Sequence, residues 1–166
     1  MERVKPKKFL GQHFLKDTEI AKRIVESLDT KKIKYFLEIG PGMGILTQYL
    51  LKLSVPGFFI EIDKDSVKYL NKHYPFISKK LILADFIKIN LQDFNSPIGI
   101  IGNFPYNISS QILFKVIENR QLIDQLIGMF QLEVGKRICA KPGNKTYGII
   151  SVLTQAYFHT ELISVS

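Results

Sequence analysis

The feature that most restricts the fold of this chain is an alternation. Short apolar runs, closed by glycine-rich or polar residues, are separated by stretches with helical periodicity. Strand–helix units of this kind build an α/β domain, a mainly parallel sheet with helices on both faces. Strands are predicted over residues 35–39, 57–62, 80–84, 98–102 and 126–130. Helices are predicted over 18–28, 45–53, 65–73, 109–119 and 132–140, the first capped by Asp17 with Ile20, Ile24 and Leu28 on one face. A polar Pro-Gly loop over 141–145 precedes a final helix–strand pair over 148–164. Residues 1–16 read as a basic arm and 17–166 as one domain, long enough to bury a core without disulfides or metals.

Composition narrows the function classes. No run of about 18 apolar residues occurs, which excludes a membrane-spanning helix. The start, with Lys5, Lys7 and Lys8, lacks the apolar core of a signal peptide, so the expected compartment is the cytoplasm. Cys139 is the single cysteine and has no partner for an internal disulfide. His13, His73 and His159 are isolated, so no metal site is expected. A net charge of +8 permits a polyanionic partner without requiring one. Lys136 and Arg137 share a predicted helix that reads as a solvated or RNA-facing edge. Phe58, Phe59 and Phe114 follow core-facing patterns.

Chemistry enters at the first βα turn, Glu38-Ile39-Gly40-Pro41-Gly42-Met43-Gly44. Glycines at alternate positions permit a sharp turn and close approach of a ligand. A dinucleotide fingerprint needs a glycine where Ile45 stands, and no Lys-Ser/Thr pair follows as a P-loop requires. An adenosine ligand without pyrophosphate remains. Glu61, at the second strand end, can accept both ribose hydroxyls, with Asp63 a weaker competitor on the same side. Asp85, after the third strand in Ala84-Asp85-Phe86, can accept from an adenine amine. Together these favour S-adenosylmethionine.

The fourth strand runs into Asn103-Phe104-Pro105-Tyr106. An aromatic amine has its lone pair delocalised into the ring. Accepting both its hydrogens draws the nitrogen toward tetrahedral geometry and frees that pair. The Asn103 side-chain carbonyl offers one acceptor. The Phe104 carbonyl offers the other, since Pro105 extends the residue before it and carries no competing N–H. Tyr106 can stack on the base. Ser109 and Ser110 start the helix that follows.

With these segments in view, the chain resembles the small-subunit ribosomal RNA adenine N6,N6-dimethyltransferases. The matching segments are Phe9-Leu10-Gly11-Gln12-His13-Phe14-Leu15, residues 38–44, Ile60-Glu61-Ile62-Asp63, Ala84-Asp85-Phe86, 102–110, and a block from Gln131 through Arg137 to Gly148. The resemblance implies a Rossmann-like class I methyltransferase fold. It implies that Gln12, His13 and Leu15 close over S-adenosylmethionine, and that Glu38 with Gly40, Gly42 and Gly44 faces its methionine end. Glu61 would take the ribose and Asp85 the adenine, with Ile62 and Phe86 beside them. Asn103 would hold the target amine and Tyr106 stack on the base. The implied partner is small-subunit ribosomal RNA or its precursor particle, met by a monomer that dimethylates two adjacent adenines. Alternatives are an adenine in large-subunit RNA or DNA, or a non-catalytic RNA-binding assembly factor. Phe104 stands where that family usually has leucine. The family also continues into a further strand and a small helical domain that helps grip RNA, whereas this chain stops near what reads as its sixth strand.

Overall fold

The computed structural model of the chain describes residues 3–10 and 14–163. Five strands form one sheet: β1 (Tyr35–Ile39), β2 (Gly57–Glu61), β3 (Leu81–Leu83), β4 (Ile98–Asn103) and β5 (Ile123–Met129). Their spatial order is β3-β2-β1-β4-β5 and every pairing is parallel. The chain therefore steps outward from β1 to β3, then returns to the other side of β1 with β4. At such a reversal neighbouring crossovers leave on opposite faces and open a crevice at the strands' carboxyl ends.

The helices are α1 (Thr18–Glu26), α2 (Thr47–Leu50), α3 (Lys64–His73), α4 (Ser109–Glu118), α5 (Leu132–Ile138) and α6 (Ile149–Tyr157). Period-two alternation sorts the strand side chains into two cores. Phe36, Phe59 and Ile101 pack with Ala21 and Val25 of α1 and Leu70 of α3 on one face. Leu37, Ile60 and Ile100 pack with Ile112 and Val116 of α4 on the other. Asp17 caps α1 as the sequence predicts, accepting from the backbone N–H groups of Glu19 at 2.9 Å and Ile20 at 3.1 Å. The buried stripe of α1 is centred on Ala21 and Val25, with Ile20 and Ile24 at its margin.

Three expectations need correction. The helix predicted over 45–53 has α geometry only in the four residues of α2. Gly44, at φ +86°, stands outside helical space, and the approach to Pro56 is closed by tighter bonds such as Leu53 N–H to the Leu50 carbonyl at 3.1 Å. Phe114 is 37% exposed, because α4 buries Ile112, Leu113, Val116 and Ile117 and turns Phe114 away. The strand predicted to follow α6 is not formed among the described residues. An extended segment becomes a strand only by exchanging hydrogen bonds with a neighbour, and Leu162 instead packs near Gly135 of α5.

Candidate active site

A cleft of about 1040 Å³ opens at the carboxyl ends of β1, β2 and β4, at the reversal in strand order. Its floor is the turn after β1. Gly40, Gly42 and Gly44 have φ of +66°, +57° and +86°, a left-handed backbone that side chains with a Cβ disfavour. A Cβ placed on Gly40 would meet nothing within 4 Å, so the turn leaves an open cradle on its cleft side. Gly42 is covered from the other direction by the Phe14 ring, 3.1 Å from where its Cβ would be. Tyr74 crowds Gly44 in the same way, at 2.6 Å.

Two buried carboxyl groups lie beneath this cradle. Glu38, on β1, is 1% exposed and accepts from the Thr47 hydroxyl at 2.7 Å. Burial pushes its carboxyl up to about 8, against the Thr47 bond that pulls it down. Glu61, at the end of β2, accepts the backbone N–H of Gly42 at 2.9 Å and of Asp63 at 3.0 Å. Burial raises it too, opposed by those two donors. Glu61 therefore ties β2 to the glycine turn. A cleft walled by two desolvated carboxyls is suited to a cationic ligand, whose charge would replace the lost hydration.

Asp63, weighed above for a ribose role, is committed elsewhere. It caps α3 by accepting Asp65 N–H at 3.3 Å, accepts the Ser66 hydroxyl at 2.9 Å, and pairs with Lys7 of the arm. Lys7 also reaches Asp65 at 2.7 Å. The arm is thus pinned across the cleft, where Val4, Pro6, Leu10 and Leu15 line the wall. Gln12 and His13 lie outside the described residues.

The remaining wall comes from the next two strand ends. Ile62 projects into the cleft at 46% exposure, an apolar surface for a flat ring. Asp85 caps a short 3-10 turn through Ile87 N–H at 3.0 Å, with Phe86 buried behind it. Lys115 of α4 clamps that turn, donating to the Ile87 carbonyl at 2.9 Å. Asn103 and Pro105 line the cleft at the end of β4. Phe104 points the other way: its ring is buried and lies edge-on to Phe130 at 5.2 Å. That ring fills a slot between two glycines. A Cβ on Gly128 would sit 2.3 Å from it and one on Gly102 3.0 Å, and these glycines are register partners on β5 and β4. Tyr106 is half-buried in the turn leading into α4, where its carbonyl accepts the Ser109 hydroxyl at 3.2 Å.

The structure therefore gathers Leu15, Glu38, Gly40, Gly42, Gly44, Glu61, Ile62, Asp85, Phe86, Asn103 and Pro105 around one cleft, with Phe104 behind its wall. Sequence reasoning did not single out Lys7, Phe14, Thr47 or Tyr74. The partners of Lys7 are more than fifty residues away, and no local pattern carries that pairing.

Comparison with known proteins follows the same lines. Residues 3–166 match the family described as ribosomal RNA adenine dimethylase. The chain is similar to "Ribosomal RNA small subunit methyltransferase A" of Flavobacterium johnsoniae, 55% identical over 165 residues, covering 98% of this chain and 63% of the relative. It is 51% identical to the protein of the same name from Parabacteroides distasonis, covering 98% and 62%. The chain thus spans under two thirds of the length of these relatives. Among solved structures, a dimethyladenosine transferase from Plasmodium falciparum superposes with a TM-score of 0.70 at 29% identity, over 86% of this chain and 52% of that one. The 23S rRNA methyltransferase ErmE gives 0.67 at 28%, over 75% and 50%. The fold is the Rossmann-like class I methyltransferase fold. With its glycine cradle, paired carboxyls and Asn103 turn arranged on that fold, the chain belongs to the ribosomal RNA adenine dimethylase family.

Proposed function

We propose that this chain is the catalytic part of an enzyme that transfers methyl groups from S-adenosylmethionine to N6 of adenines in small-subunit ribosomal RNA. The observation that carries the reading is that Asn103 lines the same cleft as Glu61, Asp85 and the glycine cradle. One cleft can then hold a methyl donor and a target amine together. The small-subunit substrate is favoured because curated relatives that match 98% of this chain at 50–55% identity are named for it. Two adjacent adenines, each dimethylated, are the product this reading assigns. The enzyme acts as a cytoplasmic monomer on the RNA or its precursor particle.

The residues fit the cofactor. The open face of Gly40 admits the methionine portion, and Glu38 beneath it complements positive charge. Glu61 offers acceptors to the ribose, Ile62 packs on the adenine ring, and Asp85 accepts from its amine. Leu15 lines the cleft, and this reading assigns Gln12 and His13 to the cofactor with it. S-adenosylmethionine, when bound, supplies an electrophilic methyl carbon on a sulfonium leaving group.

The other roles fall to the Asn103 turn. The Asn103 carbonyl oxygen accepts one hydrogen of the target amine and the Phe104 carbonyl the other, so the nitrogen lone pair turns toward the methyl carbon. The nitrogen so oriented would accept the methyl group that S-adenosylmethionine supplies, and its surplus proton would pass to solvent. Positioning supplies most of the rate, and no strong base is needed. Tyr106 stacks on the base, which must be unpaired or flipped to enter.

The test is transfer of labelled methyl from S-adenosylmethionine to small ribosomal subunits lacking the modification, followed by nucleoside identification. Dimethyladenosine from the wild-type chain, its loss in Asn103→Ala, and retained binding of S-adenosylhomocysteine by that variant are expected. No methyladenosine in this RNA despite normal cofactor binding would sink the assignment.

A further inference from the structure

The positive charge of this chain is unevenly spread. From residue 134 to residue 160 there are four cations, Lys136, Arg137, Lys141 and Lys145, and no aspartate or glutamate. All four are exposed, and among the described residues none enters an ion pair. They occupy α5 and the loop between α5 and α6.

Two independent contacts place this segment at the cleft end of the sheet. The first runs through β5. Met129 is the register partner of Asn103, Phe130 packs on Phe104 at 5.2 Å, and α5 begins two residues later. The second runs through α6. Its last residue, Tyr157, lies against Arg120, whose guanidinium is 4.1 Å from the ring centroid. Arg120 follows the far end of α4, a helix that starts beside the Asn103 turn and runs away from it. With its last turn at that far end, α6 runs in the same sense as α4. Its beginning, and the last residues of the loop that enters it, lie toward the Asn103 turn.

The segment is also held in place. The Ser151 hydroxyl of α6 donates to the Arg137 carbonyl, and the Gln155 side chain donates to the carbonyls of Ile138 at 2.9 Å and Ala140 at 2.8 Å. Inside the loop, Gly143 turns the chain at φ +89°, and the Asn144 side chain accepts both the N–H and the hydroxyl of Thr146 at 3.0 Å. A backbone fixed this way sets the spacing of the cations it carries. Of the other lysine clusters, Lys31, Lys32 and Lys34 precede β1 and Lys79 and Lys80 precede β3, at the opposite end of the sheet, while in the arm Lys5 lines the cleft itself and Lys7 is paired with Asp63 and Asp65.

We infer that α5 and the α5–α6 loop form a shelf that docks the RNA backbone flanking the target adenine, with Lys136, Arg137, Lys141 and Lys145 on its phosphates. The inference rests on the RNA methyltransferase reading above and adds the surface that reading lacks. Phosphate contacts of this kind set register and orientation on the nucleic acid without reading its sequence.

The test compares three forms of the whole chain: wild type, a K136Q/R137Q/K141Q/K145Q shelf variant, and a K31Q/K32Q/K34Q control. Affinity for a fluorescein-labelled RNA hairpin with unpaired adenines is read by anisotropy across a KCl series. S-adenosylhomocysteine affinity, melting temperature and methyl transfer are measured alongside. The shelf variant is expected to lose about tenfold or more in RNA affinity at low salt, and its log K against log salt slope to flatten by roughly three, near the counterion release of four contacts. The control keeps most of both, and cofactor affinity and melting stay at wild-type values in all three. An unchanged slope in the shelf variant, an equal loss in the control, or no RNA binding by the wild type at any salt would overturn the shelf. RNA held through the shelf without methyl transfer to any adenine would leave the shelf standing and overturn the methyltransferase reading instead.

Discussion

Single residues carry most of the electrostatics of the cleft, and Glu38 is the one whose titration should be measurable in stability. Its carboxyl is pushed up to about 8 by burial, whereas an unfolded glutamate titrates near 4.3. Between those values the unfolded chain releases a proton that the native chain keeps, so stability contributed at this site falls as pH rises and levels off above about 8. Glu38→Gln keeps an acceptor for Thr47 and cannot ionise. Its melting temperature should match wild type near pH 5 and exceed it near pH 9. Matching curves at both ends would place the Glu38 carboxyl in a normal range. Lys7 offers a second test, because its pairs with Asp63 and Asp65 hold the arm across the cleft. Lys7→Met should speed protease cleavage within the arm and weaken S-adenosylhomocysteine binding, since the arm would lose its tie across the cleft. The sequence showed Glu61 and Asp85 through their places at successive strand ends, and Glu38 through the family resemblance. It did not show that Asp63 was committed to a helix cap and a lysine far along the chain, since that depends on how the arm folds back.

Among the elements, β4 and β5 do more than extend the sheet. Gly102 and Gly128 sit opposite each other and make the slot that takes the Phe104 ring, so the turn carrying Asn103 is held from behind by a steric fit. A methyl group at residue 128 would also meet the Gly102 carbonyl oxygen at 2.4 Å, a backbone atom with nowhere to move. Gly128→Ala should cost about 1–3 kcal/mol in urea unfolding, as overpacked cores do. It should lower methyl transfer more than cofactor affinity, because the displaced element is the one bearing the target site. Adding Phe104→Leu should return part of both losses by vacating ring volume. An alanine at residue 128 with native stability and turnover would show that the slot is loose. The succession of strands and helices along the chain was legible because alternation and glycine punctuation are local signals, and the first strand matched residue for residue. That no strand follows α6 among the described residues, and that α2 is short, was not legible. Pairing depends on a neighbour elsewhere in the chain, and α2 is squeezed between Gly44 and the approach to Pro56.

At the scale of the whole molecule, the two cores share one sheet, and the cleft lies where that sheet reverses its winding. The all-parallel register has a kinetic consequence. No two adjacent strands can meet through a tight hairpin, so every pairing must wait for a crossover to form. The pairing that creates the crevice joins residues as far apart as Tyr35 and Ile98, a long loop to close. Chains dominated by such distant contacts assemble slowly for their size. The glycine cradle and the Asn103 turn stand on opposite sides of this seam, so a fragment in which β1 and β4 are not paired lacks the complete site. In refolding from urea, S-adenosylhomocysteine binding should reappear no sooner than the circular dichroism of the finished sheet. Ligand capture ahead of that signal would mean the cradle forms without β4. On that expectation a chain whose β4 has not docked against β1 is still a nascent protein, and cofactor capture becomes a direct report of completed folding.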